Sequence, residues 1–130
     1  MKLASLKHII PLCILALLFA RRVSADWPQF RGPDGQGHSD EQGVPIHWSE
    51  EKNVTWKSAV PGEGLSSPVI AGNQIWMTSA ENEGKSLRAI CLDKTSGQLL
   101  HNVEVLQPDD AGPRHKTNGY AFPTPVLDGE

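Results

Sequence analysis

Ser67-Pro68-Val69-Ile70-Ala71-Gly72-Asn73 (SPVIAGN) returns as Thr124-Pro125-Val126-Leu127-Asp128-Gly129-Glu130 (TPVLDGE), an offset of 57 residues. Hydroxyl, proline, valine, aliphatic and glycine recur in register, and each copy reads as a strand entering a turn. Self-similarity at a fixed period marks repeat architectures, whose units bury their apolar faces against one another. Three more strand-like runs and the polar stretch Gln107–Asn118 (QPDDAGPRHKTN) separate the copies. One four-stranded unit plus a long connector is the spacing of propeller blades rather than of sandwich hairpins. Pairing of the two copies within one sheet would contradict this reading.

The runs around the first copy are short. Asn53–Val60 (NVTWKSAV) alternates, with Val54, Trp56 and Ser58 on one face and Thr55, Lys57 and Ala59 on the other. Pro61-Gly62-Glu63-Gly64 ends it. Ser66–Ile70, Ile75–Ser79, Ser86–Leu92 and Leu99–Leu106 follow as strands. Their turns are Ala71–Gln74, with Gly and Asn supplying positive φ, then Glu81–Gly84 and Asp93–Gly97. Such spacing predicts an antiparallel meander, and no segment carries an apolar stripe of helical period. Ser86–Leu92 is apolar on both faces, as an inner strand would be. Leu99–Leu106 mixes His101, Asn102 and Glu104 with apolar residues, as an outer strand would. The fold expected is all-β: an incomplete β-propeller, with one four-stranded antiparallel blade and flanking orphan strands, after an N-terminal signal helix.

Residues 1–25 read as that signal. Lys2 and Lys7 precede Ile9–Ala20, an uncharged run of 12 residues, and Val23-Ser24-Ala25 offers a cleavage site after Ala25. Twelve apolar residues are too few to cross about 30 Å of hydrocarbon as a helix. Arg21 and Arg22 oppose export, which leaves an uncleaved anchor as the alternative. Residues 26–52 form a lead-in dense in Gly and Pro, with Trp27, Phe30 and Trp48 available to pin it to a neighbouring surface. Residues 53–130 hold the repeats. The second copy stops inside the turn of its first hairpin, and Asn53–Val60 precedes any blade of its own. These 130 residues therefore read as the opening piece of a longer reading frame.

Residues 1–25 carry four of the 12 basic groups and no acid, so eight basic and 15 acidic residues remain beyond them, a net of −7 with His neutral. That balance argues against affinity for phosphate backbones and against nucleic acid as a partner. Past the signal Cys91 is the one cysteine, which excludes an internal disulfide; on a strand it reads as a small buried hydrophobe.

Three stretches carry a resemblance to a known family. Trp27-Pro28-Gln29-Phe30-Arg31-Gly32-Pro33 with Gly35 and Gly37 looks like the start of exported bacterial PQQ-like (pyrroloquinoline quinone-like) repeat proteins. Ser66-Ser67-Pro68-Val69-Ile70 with Gly72 resembles the first strand and turn of such a repeat. Ala89-Ile90-Cys91-Leu92-Asp93 through Gly97-Gln98-Leu99-Leu100 is similar to the family's LYALD…TGK…LW segment. The resemblance spans about residues 26–130 and implies a propeller of about eight four-stranded blades. His101 stands where the family often has a Trp docked between blades, and Trp56 is the substitute candidate.

No catalytic, cofactor-binding or metal-binding residue is assigned, and no cofactor is expected. Quinone-dependent dehydrogenases need an aromatic floor, a Ca²⁺ site and a catalytic carboxylate contributed by many blades. Gly32-x-x-Gly35-x-Gly37 lacks the Lys and Ser/Thr of a phosphate loop. Asp34–Asp40 fails the spacing of a Ca²⁺ loop, and His38, His47, His101 and His115 lack paired spacing with Cys or acids. Gly64–Pro68 is not a nucleophile elbow, and Asn53-Val54-Thr55 reads as an idle glycosylation match. The function expected is a non-catalytic periplasmic or secreted propeller, a monomer when full length, that binds proteins or polymers and meets the membrane only through its export signal. The alternatives are the N-terminal part of a quinoprotein dehydrogenase and a sandwich-type adhesion module.

Overall fold

The computed structural model describes residues 26–128. The expected signal helix, its cleavage site, and Gly129 and Glu130 of the second copy lie outside the described residues.

Among the described residues the chain is all-β, with one four-stranded antiparallel sheet in the order β1-β2-β3-β4. The strands are β1 (Val69–Ala71), β2 (Gln74–Glu81), β3 (Ser86–Asp93) and β4 (Leu99–Leu106). Each pairs with its neighbour in sequence, because the connecting turns are too short for any other partner. Ala71 and Gln74 face each other across Gly72-Asn73, where Gly72 alone has positive φ (55°). Asn73 instead uses its side chain: Nδ2 donates to Asp93 Oδ2 at 2.5 Å, and Oδ1 accepts from Thr95 Oγ1 at 2.8 Å. Its amide thus ties the first turn to the third.

Register separates two faces. Trp76, Thr78 and Ala80 share one with Leu87, Ala89 and Cys91; Ile75, Met77 and Ser79 share the other with Arg88, Ile90 and Leu92. Val69, Ala80, Ile90, Cys91 and Leu92 are buried, so the core occupies both sides of β3 rather than one. All eight residues of β4 are exposed. Its pairing with β3 skips Leu100 and Val105, two bulges that twist the outer strand and blunt its open edge.

Two expected strands differ in the structure. Asn53–Val60 joins no sheet; it is held by side chains, with Trp56 Nε1 donating to Lys94 O at 2.9 Å and Ser58 Oγ to Gly97 O at 2.5 Å. Its alternation survives in part, since Trp56 and Ser58 are half-buried and Lys57 is exposed. The edge of β2 that a further strand would need is already occupied by residues 63–71. The expected strand at Ser66–Ile70 starts only at Val69, because Pro68 has no N–H and the Ser66 hydroxyl takes the place of a backbone group in the ladder. Thr78 N donates to Ser66 Oγ at 3.0 Å, and Glu63 and Ala80 form an isolated bridge further along.

Candidate interaction surface

Three aromatic rings pack against glycines, two of which, Gly84 and Gly97, lie in the turns of the sheet. Trp27 covers Gly32, Trp56 covers Gly97, and Tyr120 covers Gly84. A Cβ on Gly32 would stand 2.8 Å from the Trp27 ring, so a ring can approach this closely only where the side chain is absent. Tyr120 is covered in turn by Arg114, whose guanidinium carbon lies 4.9 Å from the ring centre. Arg114 also donates to Asn118 O at 2.6 Å and sits 3.8 Å from Glu63. This clasp holds the connector between the two copies against the sheet.

The two copies lie side by side without sharing a ladder. Ser67 N donates to Thr124 Oγ1 at 3.0 Å, joining equivalent positions of successive copies. The lead-in runs beside both. Trp27 exchanges two backbone bonds of 2.8 Å with Ile70, and Pro28 O accepts from Leu127 N at 2.9 Å. Ile70 and Leu127 are again equivalent positions. Thr78 Oγ1 donates to Pro123 O at 2.9 Å and Leu65 N to Ala121 O at 2.9 Å, which seats the segment leading into the second copy beside β2 and the residues before β1. Thr124–Asp128 belongs to no strand.

His101 stacks on Trp76, with ring centres 5.7 Å apart and planes 13° from parallel. Both residues face Cys91 across the ladder. Cys91 is buried, and that burial, with a smaller contribution from the charge of Asp93, pushes its thiol pKa up. The reactive thiolate is disfavoured there, as expected of a packing residue. His101 thus stacks within its own sheet, while Trp56 takes the glycine of the Asp93–Gly97 turn.

Asp93 organises that turn. Its Oδ1 accepts from Thr95 N at 3.0 Å, Ser96 N at 2.7 Å and Ser96 Oγ at 2.9 Å. The Ser96 bonds hold its carboxyl below the usual carboxylate range, with Thr95 and Asn73 adding to the effect. A depressed native pKa means stability that is present above the unfolded-state pKa and lost as pH falls through the native one. Asp93→Asn is therefore expected to lower the urea midpoint at neutral pH, and the gap to the parent should close under acid. A gap of constant size across the acid range would exclude this role.

The candidate groups named from sequence do not converge on a reaction centre. Among the described residues no group of three or more His, Cys, Asp and Glu side chains is placed to hold a metal ion. His115 Nδ1 lies 2.7 Å from Thr117 Oγ1 within its own turn. Asp34 Oδ1 accepts from Gln36 N and caps the Gly-rich loop. Ser66 Oγ is committed to Thr78, and Asn53 Nδ2 donates to His47 O. Arg88 is flanked by Glu81 and Glu104, each at 3.7 Å, on the sheet face. Exposed apolar side chains include Leu99, Leu100, Val103, Val105 and Leu106 on β4, interspersed with exposed His101, Asn102 and Glu104, and Val44, Ile46 and Trp48 in the lead-in. The link from Trp27-Pro28 to both copies had no sequence signal beyond the presence of an aromatic. No family model, curated protein or solved structure matches the chain.

Proposed function

We propose that residues 53–130 are blade material of an exported β-propeller of the PQQ-like repeat type, acting as a non-catalytic scaffold that binds proteins or polymers in the periplasm or outside the cell. One observation carries the reading: equivalent residues of the two copies, Ser67 with Thr124 and Ile70 with Leu127, meet each other or the same lead-in segment. Radially repeated blades bring equivalent positions of their innermost strands together around an axis, whereas hairpins of one sandwich do not. The exposed apolar faces of β4 and the lead-in supply the surfaces on which neighbouring blades and a partner would pack.

The arrangement of the copies is tested by Thr124→Val. Loss of the hydroxyl leaves the half-buried Ser67 amide without its acceptor, at a cost of about 1 kcal/mol. The amide of Ser67 should also lose protection from hydrogen exchange, while those in β3 keep theirs. Unchanged exchange at Ser67 would remove the contact on which the reading stands. The non-catalytic role is tested on the protein purified from its native open reading frame, in a dye-linked oxidation assay with alcohols, sugars, added quinone and Ca²⁺. A flat baseline is expected; turnover would replace the scaffold reading with that of a quinoprotein dehydrogenase.

A further inference from the structure

We propose that Asn118 is a site of spontaneous cyclisation, through which the connector between the two copies acquires an aspartate or isoaspartate beside Arg114. The chain has five asparagines, and only Asn118 precedes a glycine. Asn73 is tied to Asp93 and Thr95, Asn102 accepts from Arg88 Nε, and Asn53 donates to His47 O. Asn82 precedes Glu83, whose side chain crowds the amide that would attack.

Asn118 is exposed, and its backbone is held on both sides: its N–H donates to His115 O at 2.9 Å and its carbonyl accepts from Arg114 at 2.6 Å. Neither its side chain nor the Gly119 N–H takes part in any of the hydrogen bonds described. The Asp34-Gly35 pair offers the same sequence chemistry but differs in this respect. There Gly35 N donates to Gly32 O at 3.1 Å and the Asp34 carboxylate accepts from Gln36 N, so nucleophile and electrophile are both engaged.

In the reaction Gly119 N bonds to Asn118 Cγ and the Cγ–Nδ2 bond breaks. The nitrogen leaves as ammonia, carrying the Gly119 amide proton. Water then opens the five-membered imide. Attack at Cγ yields aspartate; attack at the main-chain carbonyl carbon yields isoaspartate, with the chain rerouted through Cγ. Either product places a carboxylate next to Arg114, in competition with Glu63 and at the base of the Arg114–Tyr120–Gly84 clasp. Isoaspartate also converts the carbonyl that Arg114 now grips into that carboxylate.

The test is incubation of the purified chain at mildly alkaline pH. Peptide mass mapping and labelling by an isoaspartyl methyltransferase then follow each site. Conversion is expected at Asn118 first, with isoaspartate present and the other four asparagines intact over the same period. Gly119→Ala should slow it by about tenfold, a barrier higher by about 1.4 kcal/mol. That variant keeps the fold, since an added Cβ meets Gly64 Cα at 3.7 Å, an ordinary contact. Conversion at Asn82 or isomerisation at Asp34 as fast as at Asn118, or an undiminished rate in Gly119→Ala, would overturn the proposal.

Discussion

Gly97→Ala is expected to destabilise the chain by about 2–5 kcal/mol. Gly97 is buried at the end of the Asp93 turn with φ of 72°, and the Trp56 ring lies on its face. A Cβ there would stand 2.6 Å from Trp56 Cδ2 and 2.7 Å from Ser58 Oγ. The left-handed conformation alone costs an L-residue about 1–2 kcal/mol. Displacing a packed ring adds about 1–3 kcal/mol, for a total near 2–5 kcal/mol. Pairing the substitution with Trp56→Ala separates the two causes. Once the ring is gone the steric part has nothing to act on, so the double variant should be less destabilised than the two singles combined. Urea midpoints of the four proteins measure this. Additivity within about 0.5 kcal/mol would show that Trp56 does not rest on Gly97.

Ile90→Ala carries the second large effect. Ile90 sits at the centre of β3, is 0% exposed, and is paired with Met77 on one side and Asn102 on the other. Deleting its outer carbons removes apolar burial and leaves a void that two hydrogen-bonded neighbours cannot collapse to fill, for a loss of about 2–5 kcal/mol. The matched control is Val103→Ala one strand away, at a residue 49% exposed, where the loss should stay within about 0.5 kcal/mol. Equal losses at the two sites would mean that β4 is as well covered as β3, contrary to the burial gradient across the sheet.

That gradient also bears on partner binding. β4 has an open outer edge, eight exposed residues and bulges at Leu100 and Val105, the devices by which edge strands avoid joining foreign sheets. Its side-chain faces, not its backbone edge, are therefore what it presents to a neighbour. On the proposed reading the next blade covers the face that carries Val103, which ties the exposure of β4 to the repeat rather than to a ligand.

Much of the sheet was legible in the residues. The four-stranded meander follows from runs of five to eight residues between glycine-containing turns, and Leu99–Leu106 has the bounds that its composition suggests. Cys91 was legible as a packing residue from the apolar pattern around it. Where sequence reasoning strayed, the reason was pairing. Asn53–Val60 alternates like a strand, yet alternation reports only which faces are covered and says nothing of a hydrogen-bonded neighbour. Ser66–Ile70 has strand composition, but Pro68 and the Ser66 hydroxyl break the backbone ladder before Val69.

By itself, then, the order of residues determined the all-β class, the turns and the recurrence of one motif at an offset of 57, because each depends on contacts between near neighbours in the chain. Only the tertiary structure decided that Trp56 rests on Gly97, that His101 stacks on Trp76, and that Trp27 and Pro28 link the two copies. Those contacts join residues far apart in sequence. Their strength depends on which surfaces the folded sheet leaves free, and no local pattern encodes that.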